Sequence, residues 1–84
     1  MKFSAFNDET RGQFDPYTQS VLTKLLNAYG GVEFREIKDS SEWCVRVTIV
    51  DELGEGLPLA ALGETARDAA ERMVRICGLD SEWA

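Results

Sequence analysis

The run WCVRVTIV, from Trp43 to Val50, constrains this chain more than any other stretch. Successive side chains of a strand point to opposite faces, so Trp43, Val45, Val47 and Ile49 share one face while Cys44, Arg46, Thr48 and Val50 take the other. The first face is wholly apolar and the second carries a guanidinium and a hydroxyl. That pattern fits an antiparallel sheet covered on one side better than a parallel sheet enclosed on both. With 84 residues the chain can build one small core and not two, so the cover has to come from the flanking sequence.

It is available on both flanks. Asp15 followed by Pro16 is a helix start: the carboxylate caps free amides, and proline at the first position has no N–H to waste. Val21, Leu22, Leu25, Leu26 and Tyr29 then recur at helical spacing, and Gly30 with Gly31 supplies a left-handed exit, which predicts a helix over 16–29. Near the other end Thr65 caps a second helix and Asp68 completes a capping-box pattern. Ala66, Ala69, Ala70, Met73, Val74 and Cys77 make its apolar stripe, and Gly78 ends it. On its polar face Asp68 with Arg72 and Glu71 with Arg75 are i,i+4 pairs in the favourable order.

Two more strands complete the plan. Val32 to Lys38 mixes Val32, Phe34 and Ile37 with charges and is followed by the turn residues Asp39, Ser40 and Ser41. After the acid- and glycine-rich loop DELGEG, Leu57 to Leu62 forms a third strand, with Pro58 restricted to a strand start or a sheet edge because it cannot donate to a ladder. The expected fold class is α+β: a two-layer α-β-β-β-α sandwich, with a three-stranded antiparallel sheet and both helices on one face. Residues 1–84 form a single domain, with an N-terminal segment over 1–14 that is either flexible or docked, a core over 15–78 and a tail over 79–84.

The order of elements, the strand WCVRVTIV, the glycine-rich GEGLPLAALG and the helix start ETARDAAERMV together resemble the double-stranded-RNA-binding domain over about residues 15–78. Members of that family open the closing helix with lysines that bridge phosphates, and reach a minor groove with the loop between the first two strands, where a histidine is typical. The matching positions here are Glu64, Thr65, Ala66, Arg67 and Asp68, the loop is KDSSEW, and the chain has no histidine. Affinity for a duplex comes largely from counterion release when several phosphates are neutralised, and this chain offers almost no clustered bases. The resemblance implies the fold; the charge argues against direct nucleic-acid binding.

Composition points the same way. Fifteen acids against nine bases give a formal net charge of -6, which repels polyphosphates and attracts cationic protein surfaces. From Val47 to Ala66 there is no lysine or arginine, while Asp51, Glu52, Glu55 and Glu64 all fall in that span, so these four residues are the candidate partner-binding site. Phe3, Phe6, Phe14 and Trp83 lie outside the central elements, and either anchor a partner or fold back on the domain.

No catalytic machinery is legible. Without histidine the usual base near neutral pH is missing, and no serine or cysteine has an evident activating partner. The acids of the DELGEG loop do not meet the calcium-loop pattern, and no Walker loop, dinucleotide fingerprint or zinc spacing occurs. The expectation is a non-enzyme with no cofactor and no metal. Cys44 and Cys77, far apart and without CxxC spacing, read as buried thiols of a reducing compartment. No apolar run approaches a membrane span and the start MKFSAFNDET does not resemble a secretory signal, so the expected location is cytoplasmic.

The preferred functional expectation is a noncatalytic acidic module that occupies the basic nucleic-acid-binding surface of a target protein. In compactness and acidity it resembles small inhibitors encoded by phages and mobile elements, of which anti-CRISPR proteins are one class. Two alternatives stay open: a degenerate RNA-binding domain that retains RNA through its first helix and Lys24, Arg35 and Lys38, and an assembly domain that dimerises through an uncovered sheet face or the Pro58 edge.

Overall fold

The computed structural model describes residues 3–78. Along the chain the elements are β1 (Ser4–Ala5), a short 3-10 turn (Arg11–Gln13), α1 (Pro16–Tyr29), β2 (Val32–Ile37), β3 (Glu42–Val50), β4 (Gly56–Gly63) and α2 (Ala66–Ile76). The strands form one antiparallel sheet in the order β1-β2-β3-β4, and the core lies between it and the two helices. The fold is α+β, as the alternation in β3 predicts.

Both helices start as their sequences dictate. The Asp15 carboxylate accepts from the Thr18 amide and the Thr18 hydroxyl, and Gly30 closes α1 at φ 76° with its N–H on the Leu26 carbonyl. Thr65 Oγ1 accepts from the Asp68 amide at 3.0 Å to open α2. Val21, Leu22 and Leu25 of α1, and Ala66, Ala69, Ala70, Met73 and Val74 of α2, are buried against Val32, Phe34, Val45, Val47 and Ala61 of the sheet. The alanines let α2 settle close to β3 and β4, and burial of such apolar area is the main favourable term in folding. Glu71 gathers two of the polar-face arginines, Arg67 at 2.8 Å and Arg75 at 3.7 Å. Of the two pairs expected from spacing, Glu71 with Arg75 is thus formed, while Arg67, one turn earlier, makes the tighter contact.

The sheet has four strands where three were expected. Ser4 and Ala5 pair with Phe34 and Glu33, and the Phe6 N–H continues the edge onto the Val32 carbonyl at 2.9 Å. A two-residue strand carries no periodicity to read in the sequence. It forms because Phe6 and Phe14 are core residues: Phe14 lies edge-on to Phe34 with centroids 4.9 Å apart, 6.0 Å from Trp43 and 6.1 Å from Phe6. The segment before α1 is therefore docked over the residues described. An Asn7 turn, with Oδ1 accepting from the amides of Glu9 and Thr10, and the Thr10 hydroxyl on the Ala5 carbonyl at 2.8 Å hold it there. Trp83 lies outside the described residues.

Candidate functional site

The predicted site residues fall into two groups. Asp51, Glu52 and Glu55 occupy the turn that joins β3 to β4, at the tip of a hairpin, while Glu64 follows the last residue of β4 at the start of α2. β4 is eight residues long, so at ~3.3 Å per residue the two groups are separated by about 25–30 Å. The structure brings the first three together and holds the fourth apart.

The turn is built by one of its own acids. Asp51 Oδ1 accepts from the amides of Leu53 and Glu55, both at 2.9 Å, and the Asp51 N–H donates to the Glu55 carbonyl at 2.9 Å. Gly54 supplies the left-handed step at φ 82°, which an L side chain resists. Asp51 is thus a structural residue of the turn, and Glu52 and Glu55 are the charges it displays to solvent.

Three apolar side chains share this tip and were not singled out in the sequence. Leu53 is 86% exposed, Val50 64% and Leu57 60%. Leu53 lies at the apex, while Val50, opposite Gly56, and Leu57, opposite Ile49, stand on opposite faces of the hairpin, so exposed aliphatics surround the acidic tip and do not merge into one flat patch. The signal was present: a leucine inside an acid- and glycine-rich turn, and a valine at the last position of the wet face of β3.

β4 adds a second feature. It is the last strand of the sheet, and among the described residues nothing pairs with its outer edge. The bond from Asp51 N–H to Glu55 carbonyl continues the register in which Val50 faces Gly56. Hydrogen-bonded and open pairs alternate along an antiparallel ladder, so residues 57, 59, 61 and 63 bond inward to β3, and Gly56, Pro58, Ala60 and Leu62 turn their backbone polar groups outward. Pro58 therefore sits where its missing N–H costs the sheet nothing, on an edge, which is one of the two positions expected for it, and not at the strand start.

Elsewhere several bases are engaged. Arg46, on the helix-free face, donates to Glu33 Oε1 from Nε at 3.0 Å and Nη2 at 2.7 Å, and lies 4.0 Å from the centroid of the Phe3 ring. Arg67 bonds Glu71, which raises its already high pKa more than any other cause, and lies over the Tyr17 ring at 4.5 Å. Lys24 is on α1, whereas Arg35 lies on β2 and Lys38 just past its end, so the three bases considered for RNA contact do not form one patch on one element. Cys44, on the helix-free face opposite Leu62 and Arg35, is buried, and that burial pushes its thiol up against the opposing pull of Arg46 and Arg35.

Among the described residues no group of three or more His, Cys, Asp or Glu side chains is arranged to hold a metal ion, and no helix is long and apolar enough to cross a membrane. A shallow depression of about 500 Å³ lies at the end of β2, lined by Arg35, Glu36, Lys38, Asp39 and Trp43 among others, with both charge signs mixed. No protein-family model matches this chain, and no curated protein or solved structure matches it significantly.

Proposed function

We propose that this protein is a noncatalytic binding module that presents the β3–β4 hairpin tip to a basic surface of a partner protein, with a nucleic-acid-binding cleft as the favoured target. The observation that carries the reading is the coincidence, at one exposed hairpin tip, of Glu52 and Glu55 with Leu53 at the apex and Val50 and Leu57 on its two faces. Carboxylates facing a cationic cleft speed encounter and select against acidic competitors, whereas aliphatic side chains that lose water on contact lengthen the life of the complex. A tip with both supplies both terms. The absence of any lysine or arginine from Val47 to Ala66 leaves the hairpin tip and the whole of β4 without a base of their own. In compactness and acidity the chain resembles small phage-encoded inhibitors of nucleic-acid-handling systems, anti-CRISPR proteins included, and it is proposed to belong to that functional class.

The test is capture of partners by the purified chain, compared with a Glu52→Lys, Glu55→Lys variant that leaves Asp51 and the turn intact. Enrichment of basic nucleic-acid-binding proteins, lost on charge reversal and retained when Glu9 and Asp39 are reversed instead, supports the reading. Retention of the same partners by the tip variant overturns it, as does tight duplex RNA binding that falls steeply with salt.

A further inference from the structure

We infer that the outer edge of β4 is a docking site for an extended segment of a partner protein, uncharged in its middle and carrying lysine or arginine at both ends, which adds to the sheet as a fifth strand. This rests on the reading of the acidic tip as a protein-contact site and extends it along the strand.

Three observations define the edge. Gly56, Pro58, Ala60 and Leu62 face their backbone polar groups outward, all four are exposed, and nothing described covers them. An open strand edge is a template for another strand, and main-chain hydrogen bonds supply affinity when one adds. From Gly56 to Gly63 the strand has no charged residue, so it lacks the lysine or glutamate by which many edges deter pairing. Leu57 and Leu62 stand exposed on its two faces, ready to cover alternate side chains of an added strand.

Charge decides the occupant. Glu55 and Glu64 lie immediately before and after β4, one at each end. In a two-fold antiparallel pairing of β4 with a second copy of this chain, the start of each strand faces the end of the other. Only even-numbered residues bond outward, so even positions meet even positions across the seam; Glu55 and Glu64 of the two copies then come near each other at both ends without directly facing, between two chains that each carry a net charge of -6. Four carboxylates gathered at the ends of the seam between two anionic chains disfavour self-pairing, whereas a partner strand free to place a base on the matching face at each end is favoured. Pro58 withholds one outward donor at the middle of the strand, which weakens self-pairing further because each copy would contribute the defect. A foreign strand with bases at its two ends meets a carboxylate at each and encounters the Pro58 gap once. Glu64, which the fold sets apart from the hairpin tip, thereby acquires a role as the far anchor of the same partner.

The outward amides of Gly56, Ala60 and Leu62 give a direct readout, since they exchange with solvent in the free chain and become protected when a strand is added. The probe is a synthetic peptide with alternating threonine and valine in the middle and two lysines at each end. Expected are slowed exchange at Ala60 and Leu62 on addition of the peptide, and binding weaker by about three- to tenfold for Ala60→Pro, which removes one outward donor. Binding is also expected to weaken when glutamates replace the peptide lysines or when Glu55→Lys and Glu64→Lys are introduced together. Peptide binding without protection at Ala60 and Leu62 overturns the edge as the site, as does full binding by a folded Ala60→Pro chain. Should Ala60→Pro not fold, the protection pattern of the unmodified chain decides. Protection of these amides in the absence of peptide, with a dimer in sedimentation, assigns the edge to a second copy and also overturns the inference. Loss of partner capture on Glu52→Lys, Glu55→Lys with no edge protection by any basic strand would leave the tip reading standing and this one refuted.

Discussion

Gly63 at the end of β4 packs directly beneath Ala69 of α2. A methyl group placed on Gly63 would overlap the Ala69 backbone nitrogen and come within 2.8 Å of two atoms of Asp68. The conflict is with backbone, which cannot swing aside as a flexible side chain can. Here the last residue of the sheet and the first turns of the helix fix their mutual distance, with exposed Glu64 in the short link between them.

Gly63→Ala is therefore expected to destabilise the domain by about 1–3 kcal/mol, the usual cost of overpacking. In a domain of this size that lowers Tm by roughly 4–8 °C per kcal/mol, measurable by thermal denaturation. Gly12→Ala is the control, because nothing lies within 4 Å of the added carbon there.

Asp15 gives the fold a pH dependence of known sign. Its carboxyl is held below its ordinary 3.8, chiefly by the hydrogen bond from the Thr18 hydroxyl and further by backbone amides, against a smaller opposing effect of burial. A depressed carboxyl stabilises the folded state above its unfolded pKa, and that contribution is lost as pH falls through the lower folded value. Asp15→Asn should keep part of the helix cap, lower Tm at neutral pH, and flatten the decline of Tm from pH 3.8 downward. Thr18→Val should flatten the same limb by removing the strongest cause of the shift. An unchanged acid limb in both variants would show that other carboxylates govern it.

Phe14 joins the N-terminal segment to the core through its contacts with Phe6, Phe34 and Trp43. Phe14→Ala should cost about 3–5 kcal/mol. It should also release β1 before the rest of the sheet, seen as faster amide exchange at Phe6, whose N–H bonds the Val32 carbonyl, at temperatures where the β3 amides stay protected. Simultaneous loss of protection in both strands would mean that the segment and the sheet melt as one unit.

At the hairpin tip, Asp51 and its acidic neighbours should separate by experiment. Asp51→Ala removes the acceptor of the Leu53 and Glu55 amides and should accelerate their exchange, whereas Glu52→Ala should leave both unchanged. A partner that requires the shape of the turn will lose affinity in the first variant, and one that requires only its charge will lose comparable affinity in either.

The local elements were legible because each is specified within a few residues. The Asp15–Pro16 cap, the Leu-rich stripe and Gly30 delimit α1 at Pro16–Tyr29, the span expected. The Thr65 cap, the alanine stripe and the alternation of Trp43 to Val50 likewise appear where the sequence puts them. The missing donor of Pro58 left a strand start or an edge, and the assembled sheet puts it on an edge. The candidate site was half visible: the run of acids without bases could be read off the chain, but not that Asp51 folds its carboxylate into the turn or that Glu64 ends on the far side of β4.

Tertiary packing decided the remainder, because it depends on pairs distant in sequence. β1 exists only through Phe6 and Phe14 meeting Phe34 and Trp43, and two residues of strand are too few to show a period. Strand order decides which edge of the sheet stays open, and how far the two helices reach across their face decides that Leu57 stays uncovered at its end. Spacing along the chain encodes what each segment can bury; only the assembled layers determine what is left outside.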